Sequence, residues 1–279
     1  MRRTLKAGWA LFRIRAAEVL QYRVAAFSGA TVSIFWVLIE VAVLTVFYKY
    51  GNTGPGGSIN GMNLAQAVTC RWVGEFMVML AHGGIDGDLL RKITSGDIGV
   101  ELIRPLDLYW HWFARTAAGR VNSFLLRGGM VFAFGAVLSL LGFRSVGPGL
   151  PPSPLYFALF LASLFGAFLF SAAFAMFLTA VRVGIAWGDG PTHLITVTGA
   201  VLSGNYLSLQ LWPDFMQRFL RLQPFASYLD TPARLYAGST DLRTGLLSML
   251  FQLIWIAVFI VLGKAIMQRK IRNVVVQGG

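Results

Sequence analysis

Glu40, Arg71, Glu75 and Arg127 stand inside long apolar stretches of a 279-residue chain. Ionisable side chains in such surroundings are the strongest chemical signal that the sequence carries. A charge at the centre of a membrane costs about 3 kcal/mol on insertion scales, so each group must face other helices, a partner or water. Arg71 and Glu75 are four residues apart, on one face of a helix, and can neutralise each other, although Arg preceding Glu is the less favourable order. The four groups either line a pathway or form structural ion pairs at helix contacts, and the residue types leave both readings open.

Other chemistry is absent from the sequence. There is no G-x-x-x-x-G-K-[ST] cradle for phosphates, no H-E-x-x-H and no G-x-S-x-G. His82, His111 and His193 lie far apart near the ends of apolar runs, as interfacial side chains do. Cys70 is the only cysteine, which excludes an intrachain disulfide and a cysteine cluster for zinc or iron and sulfur. No catalytic residue and no metal ligand set is expected.

The elements that must position these charges follow from composition. Hydrophobic residues make up 56% of the chain and charged residues 13%, about half the usual quarter, too few to cover a water-facing surface. With a mean hydropathy of +0.64, the chain reads as an all-α integral membrane protein, a single transmembrane domain over residues 24–279 preceded by a leader over residues 1–23. Six transmembrane helices are expected, at about 24–47, 64–80, 121–143, 155–181, 194–212 and 246–263. The first run is too long for a cleavable signal and should remain as an anchor. A barrel would show alternating strands, whereas these runs are continuous. With both termini cytoplasmic, the inner pieces hold 16 Lys or Arg and the outer pieces 6, the expected bias. That bias also accounts for the net charge of +12, so no nucleic-acid partner is expected. Tyr48, Tyr50, Tyr109, Trp110, Trp112, Trp187 and Trp212 fall near span ends, where amphipathic rings prefer the headgroup level. The largest piece between spans has 40 residues, several times too small for a nucleotide-hydrolysing domain.

Three connecting regions carry pattern. In the leader, Leu5, Trp9, Phe12, Ala16 and Val19 share one helical face flanked by Arg2, Lys6, Arg13 and Arg15, which predicts an amphipathic helix along the membrane surface. Between spans two and three, Asp88 is expected to cap a short helix ending at Gly96, and Asp97 a second one closed by Pro105. Leu89, Ile93, Ile98, Leu102 and Leu106 give these pieces apolar sides, leaving Arg91, Lys92, Glu101 and Arg104 to a cytoplasmic partner. Between spans five and six, Pro213 opens a helix bearing Phe215, Phe219 and Leu222, and Pro224 stops it, which predicts a hairpin dipping into the outer leaflet or a lid. The small residues Gly199, Ala200, Ser203 and Gly204 in span five permit close packing or an unwound turn.

Taken with Glu18-Val19-Leu20-Gln21-Tyr22-Arg23, the inner stretches Ile93 to Ile98 and Glu101 to Leu106, and the outer Trp212-Pro213 to Gln223-Pro224-Phe225, the chain resembles the ABC-2 type membrane subunits of ABC transporters, in a six-span bacterial branch. The resemblance implies a permease subunit of an ATP-driven exporter in the bacterial inner membrane, paired with a second, identical or homologous permease. Each permease would rest on a separate ABC ATPase that binds ATP and Mg. It further implies that the segment between spans two and three is the coupling element, with coupling positions near Asp97, Glu101, Arg104 and Pro105. The absence of large outer domains favours a small amphipathic compound or a lipid as substrate. The competing classes are an ion-coupled secondary transporter using Glu40, Arg71, Glu75 and Arg127 as its relay, and a non-transporting membrane scaffold.

Overall fold

The computed structural model describes residues 23–51, 57–81, 84–95, 98–102, 107–183 and 190–271. The leader helix expected over residues 1–23 lies almost wholly outside them, as do Asp97, Arg104 and Pro105. The described residues form helices α1 (Arg23–Tyr50), α2 (Leu64–Phe76), α3 (Val78–Ala81), α4 (Gly87–Ser95), α5 (Ile98–Leu102), α6 (Leu108–Ser123), α7 (Gly129–Leu140), α8 (Pro154–Arg182), α9 (Gly190–Leu202), α10 (Asp214–Leu222), α11 (Asp230–Ala237) and α12 (Leu242–Ile271). A π-helical turn, Phe124–Gly128, joins α6 to α7. Among the described residues, strand-like pairing is limited to one bridge between Ile59 and Met62.

Among the described residues, four helices are long and apolar enough to cross a membrane: Phe27–Tyr50, Leu108–Leu140, Pro154–Arg182 and Leu242–Ile271. They overlap the first and third expected spans and contain the fourth and sixth. The third starts at Leu108 and not near Val121, because Asp107 caps it by accepting the Trp110 N–H, and because its first turns are aromatic and amphipathic instead of uniformly apolar. The second and fifth runs form shorter helices than expected. α2 and α9 each have 13 residues, about 20 Å, against a hydrocarbon core of about 30 Å. α2 ends where the Phe76 carbonyl meets the π-helical turn, so close that a Cβ on Gly128 would lie 2.3 Å from that oxygen. α9 ends at Leu202, where Gly204 takes a φ of +84°, the unwound turn that its small residues permit.

α8 and α12 make the most extensive contact. Small buried residues on α8 let α12 approach: Gln252 lies over Gly166, donating from Nε2 to the Ser163 carbonyl (3.0 Å) and the Ser227 carbonyl (2.6 Å). α11 is wedged between α2 and α8 with all eight of its residues buried. The turn before it packs Phe225 on Phe174 and Tyr228 on Phe170, roughly midway along α8. The aromatic expectation is corrected in part. Tyr48, Tyr109 and Trp112 are buried in the core, whereas Tyr50 and Trp110 are exposed and Trp187 lies outside the described residues.

Breaking α9 leaves much of the backbone of residues 203–213 without α-helical partners: a single 3-10 turn, Leu209–Leu211, bonds part of it, and side-chain amides supply further partners. Gln217 Nε2 lies 2.7, 3.1 and 2.8 Å from the carbonyls of Leu209, Gln210 and Trp212. Gln223 Nε2 donates to the Leu202 carbonyl at 2.7 Å, the last of the helix. Asn60 occupies a tight Asn-Gly turn with positive φ at both residues, and its Nδ2 reaches the carbonyls of Gln210 and Trp212. Away from water each orphaned carbonyl costs about 1–3 kcal/mol. Gln217→Leu is therefore expected to lower stability by roughly 2 kcal/mol, read as a drop in unfolding temperature in detergent, while the exposed Phe219→Leu leaves it nearly unchanged.

Candidate functional site

α1 and α2 cross so that Glu40 and Arg71 meet. Arg71 Nε and Nη2 both donate to Glu40 Oε2, at 2.8 and 2.5 Å, with the Arg71 side chain 3% exposed. Trp36 Nε1 donates to the other carboxylate oxygen at 3.0 Å, one turn earlier on α1. The remaining fork of Arg71 runs to α9: Nη1 donates to the Gly204 carbonyl at 3.1 Å. One guanidinium thus neutralises an acid on α1 and satisfies the carbonyl freed by the break after α9. The expected Arg71–Glu75 pairing is corrected by this geometry. The partner of Arg71 is Glu40 on a neighbouring helix, and the less favourable order of charges within α2 is not used. Glu75 is also buried, at 4% exposure, and its carboxylate has neither an ion pair nor a hydrogen bond among the described residues.

Arg127 is held apart from this cluster. The π-helical turn points it at α1, where Nε and Nη2 donate to Ser33 Oγ at 3.1 and 2.7 Å, and Nη1 lies 3.8 Å from Met79 Sδ. Its stem passes over Gly29, whose missing side chain leaves room for it. The four charges expected to act together therefore occupy two places, Glu40–Arg71 with Glu75 nearby on α2, and Arg127 against Ser33.

A second site forms at the end of the bundle where α1 begins. Asp86, and not Asp88, caps α4: its Oδ1 accepts the Asp88 N–H (2.9 Å) and the Leu89 N–H (3.3 Å). Asp88 is thereby free to pair with Arg115 of α6 and, at 3.3 Å, with Arg91. Arg120, further along α6, donates to the Gly84 carbonyl at 2.7 Å. The apolar sides of the short helices turn inward, with Leu89 and Ile98 buried in the core and Ile93 packed against it. Glu101, expected to face a partner, is buried and paired with Lys92. Arg91 remains well exposed. Arg115, Arg120 and Asp86 were not distinguished by sequence, because in a stretch read as a loop a basic residue signals only orientation.

This platform borders a cleft of about 290 Å³. Gly84, Ile85 and Leu90 form one wall, Thr192, His193 and Thr196 of α9 the other, and Tyr206 lies beyond the helix break. The loop gripped by Arg120 is therefore also the loop that meets α9, and the turn that follows α9 is held by Arg71 at the Gly204 carbonyl. The arrangement contains mechanical links and polar anchors, and the groups in it are held by structural bonds.

Removing one member of a buried pair costs about 3–5 kcal/mol, because the other charge is stranded. Glu40→Gln is expected to destabilise by that order, and Glu40→Leu combined with Arg71→Met to restore much of the loss, measured as a double-mutant cycle on thermal unfolding in detergent. Glu75→Gln should leave stability unchanged or raise it; the reverse pattern would make Glu75 the operative partner of Arg71.

Comparison with curated proteins finds no match. The family model described as ABC-2 family transporter protein matches residues 34–278, a range that takes in every helix from α1 onward except the start of α1, and includes Glu40, Arg71, Arg127 and the platform. The chain is thus a multi-pass membrane protein with helices apolar enough to span, and it belongs to the ABC-2 family of transporter proteins.

Proposed function

We propose that the chain is the permease half of an ATP-driven ABC exporter, carrying no ATPase site of its own and forming half of the translocation path with a second, identical or homologous permease. Family membership supports a partnership with an ABC ATPase in general. The observation that carries the finer reading is the platform of α4 and α5, stapled to α6 by Arg115 and Arg120 and bordering α9 at Gly84.

In this reading the platform faces the cytoplasm, both termini lie on the same side, and the membrane is the bacterial inner membrane. The ATPase subunit, binding ATP and Mg, docks near Asp97, Glu101, Arg104 and Pro105, assisted by the amphipathic leader. Glu101 acts from within by fixing Lys92, while Arg91 offers charge at the surface. Closure of two ATPases on ATP would displace α4, and Asp88 would carry that motion to Arg115 and so to the long α6–α7 helix. Gly84 would pass it to Arg120 and to α9. The segment from Trp212 to Thr244 serves as a re-entrant outer hairpin, α10 resting Phe215, Phe219 and Leu222 in the outer leaflet; these three side chains are exposed. Spans two and five then cross as short helices completed by non-helical chain, which is tolerated at membrane depth where protein supplies the hydrogen bonds. The cleft beside α9 and the exposed apolar faces around it suit a small amphipathic compound or a lipid, moved outward by changed packing between the two permeases.

Purification in mild detergent tests this reading: an ATP-hydrolysing subunit should co-elute stoichiometrically, whereas proton- or sodium-driven uptake by this chain alone would overturn it in favour of a secondary transporter. Asp97→Arg or Arg104→Glu should weaken ATPase association about tenfold, equivalent to about 1.4 kcal/mol, without preventing membrane insertion. Arg115→Glu, which sets like charges against Asp86 and Asp88, should leave the subunit bound while lowering transport per ATP hydrolysed, as measured in reconstituted vesicles.

A further inference from the structure

The long helix Leu108–Leu140 changes neighbours at its π-helical turn. Before the turn, α6 packs on α8, where Thr116 Oγ1 lies 3.8 Å from Met176 Sδ. Its foot is tied to α12, since Asp107 pairs with Lys264 at 3.6 Å and the same lysine stands 5.6 Å from the centre of the Trp110 ring. After the turn, α7 packs on α1 and α2 instead, and Val131 shares one apolar cluster with Ala30, Val37, Val41, Val68 and Trp72. The Trp72 ring lies so close over Gly135 that a Cβ there would stand 2.6 Å from it. Among the described residues, neither α1 nor α7 packs extensively on α8 or α12, and α6 does not pack extensively on α1 or α2. The bundle thus divides into two helix groups, α1–α2–α7 and α6–α8–α12, with α4 on the second through α8 and Arg115. The π-helical turn, α3 and the wedge of α11 join them.

The far side of the turn is fixed to the first group. Arg127 donates to Ser33 of α1, and Gly128 sits against the Phe76 carbonyl at the end of α2. Phe124, at the near side, touches both groups: its ring centre lies 4.4 Å from that of Phe76 and 4.8 Å from that of Phe168 on α8, which it meets edge-on at 86°. An apolar contact of this kind can slide without stranding a polar group. The turn itself gives up the regular i→i−4 bonds that stiffen the rest of the helix, and helices bend at such places.

We propose that the π-helical turn is a hinge, about which α6, α8 and α12, carrying α4, swing as one body relative to α1, α2 and α7. The bend falls between Ser123 and Leu125, the Phe124 ring is its bearing, and Arg127 and Gly128 hold the side that stays with α1 and α2. Ala114, eleven residues before Leu125, stands on an arm of about 16 Å, so a bend of about 20° displaces it by about 6 Å. The hinge is a property of how the bundle is divided, whatever drives it.

The test uses the full chain in mild detergent, with Cys70→Ala to remove the native thiol, spin-labelled in pairs at exposed positions and read by double electron–electron resonance. Phe27→Cys with Ala114→Cys spans the two groups, and Ala114→Cys with Leu253→Cys lies within one. The distance distribution between the groups should be wider than the one within a group by about 5 Å. Phe124→Ala should widen the first further and leave the second unchanged. Equal widths for the two pairs in the parent chain and in Phe124→Ala would overturn the proposal, as would equal broadening of both pairs, the mark of a uniformly loose bundle. Should Phe124→Ala fail to fold, the comparison of the two pairs in the parent chain decides. No nucleotide or other subunit is present, so the outcome is separate from the co-elution that tests export.

Discussion

A chain placed in hydrocarbon has no water with which to satisfy its polar groups, so every broken helix and every charge must find its partner within the protein or bring one from outside. The architecture follows from how that demand is met at each interruption of regular helix. α9 stops at Leu202, and carbonyls beyond it are taken by Gln223, Gln217, Asn60 and Arg71, from three separate parts of the chain. Those donors are conspicuous only in combination. An asparagine in a tight turn, one glutamine on a short amphipathic helix and another just past its end, and an arginine in an apolar run have no common sequence pattern, yet they converge on one stretch of chain beyond α9.

The same demand explains why the buried charges divide as they do. Arg71 satisfies one carboxylate and one carbonyl, so its ion pair with Glu40 is also a brace joining α1, α2 and the end of α9. A pair with Glu75 on its own helix would neutralise charge but join nothing. The interhelical pair constrains three elements at once. Arg127, in contrast, is placed on a π-helical turn against Ser33, apart from that brace.

How far this was legible in the sequence depended on whether a feature is local. The long apolar helices α1, α8 and α12 follow from continuous runs of apolar residues, and α10 was bounded by Pro213 and Pro224. The unwound turn at Gly204 was marked by its small residues. Features that depend on contacts between distant segments were not legible. The spacing of Arg71 and Glu75 suggests a local pair, and only the crossing of α1 and α2 replaces it with Glu40. Asp86 and Asp88 are equivalent as caps by residue type. Arg115 draws Asp88 away, leaving Asp86 to cap α4, and that competition is settled by tertiary structure. The beginning of α6 was missed because Leu108 to Arg120 mixes aromatic and basic side chains, a composition that marks an interfacial loop as readily as the buried foot of a long helix.

The placement of Arg115 and Arg120 on that foot gives the long helix its mechanical meaning. Leu108–Leu140 has 33 residues, about 50 Å, which exceeds the hydrocarbon by several turns. The excess carries the arginines that grip Asp88 and Gly84, so the platform is attached to a lever that continues unbroken, apart from the π-helical turn, through the apolar layer. A partly exposed ion pair such as Arg115–Asp88 adds at most about 1 kcal/mol to stability. It holds the short helices in register at little energetic cost to break, whereas the Glu40–Arg71 brace, with Arg71 buried and Glu40 largely so, resists separation. The polar contacts therefore grade from partly exposed and weak at α4 to largely buried and costly to break between α1 and α2.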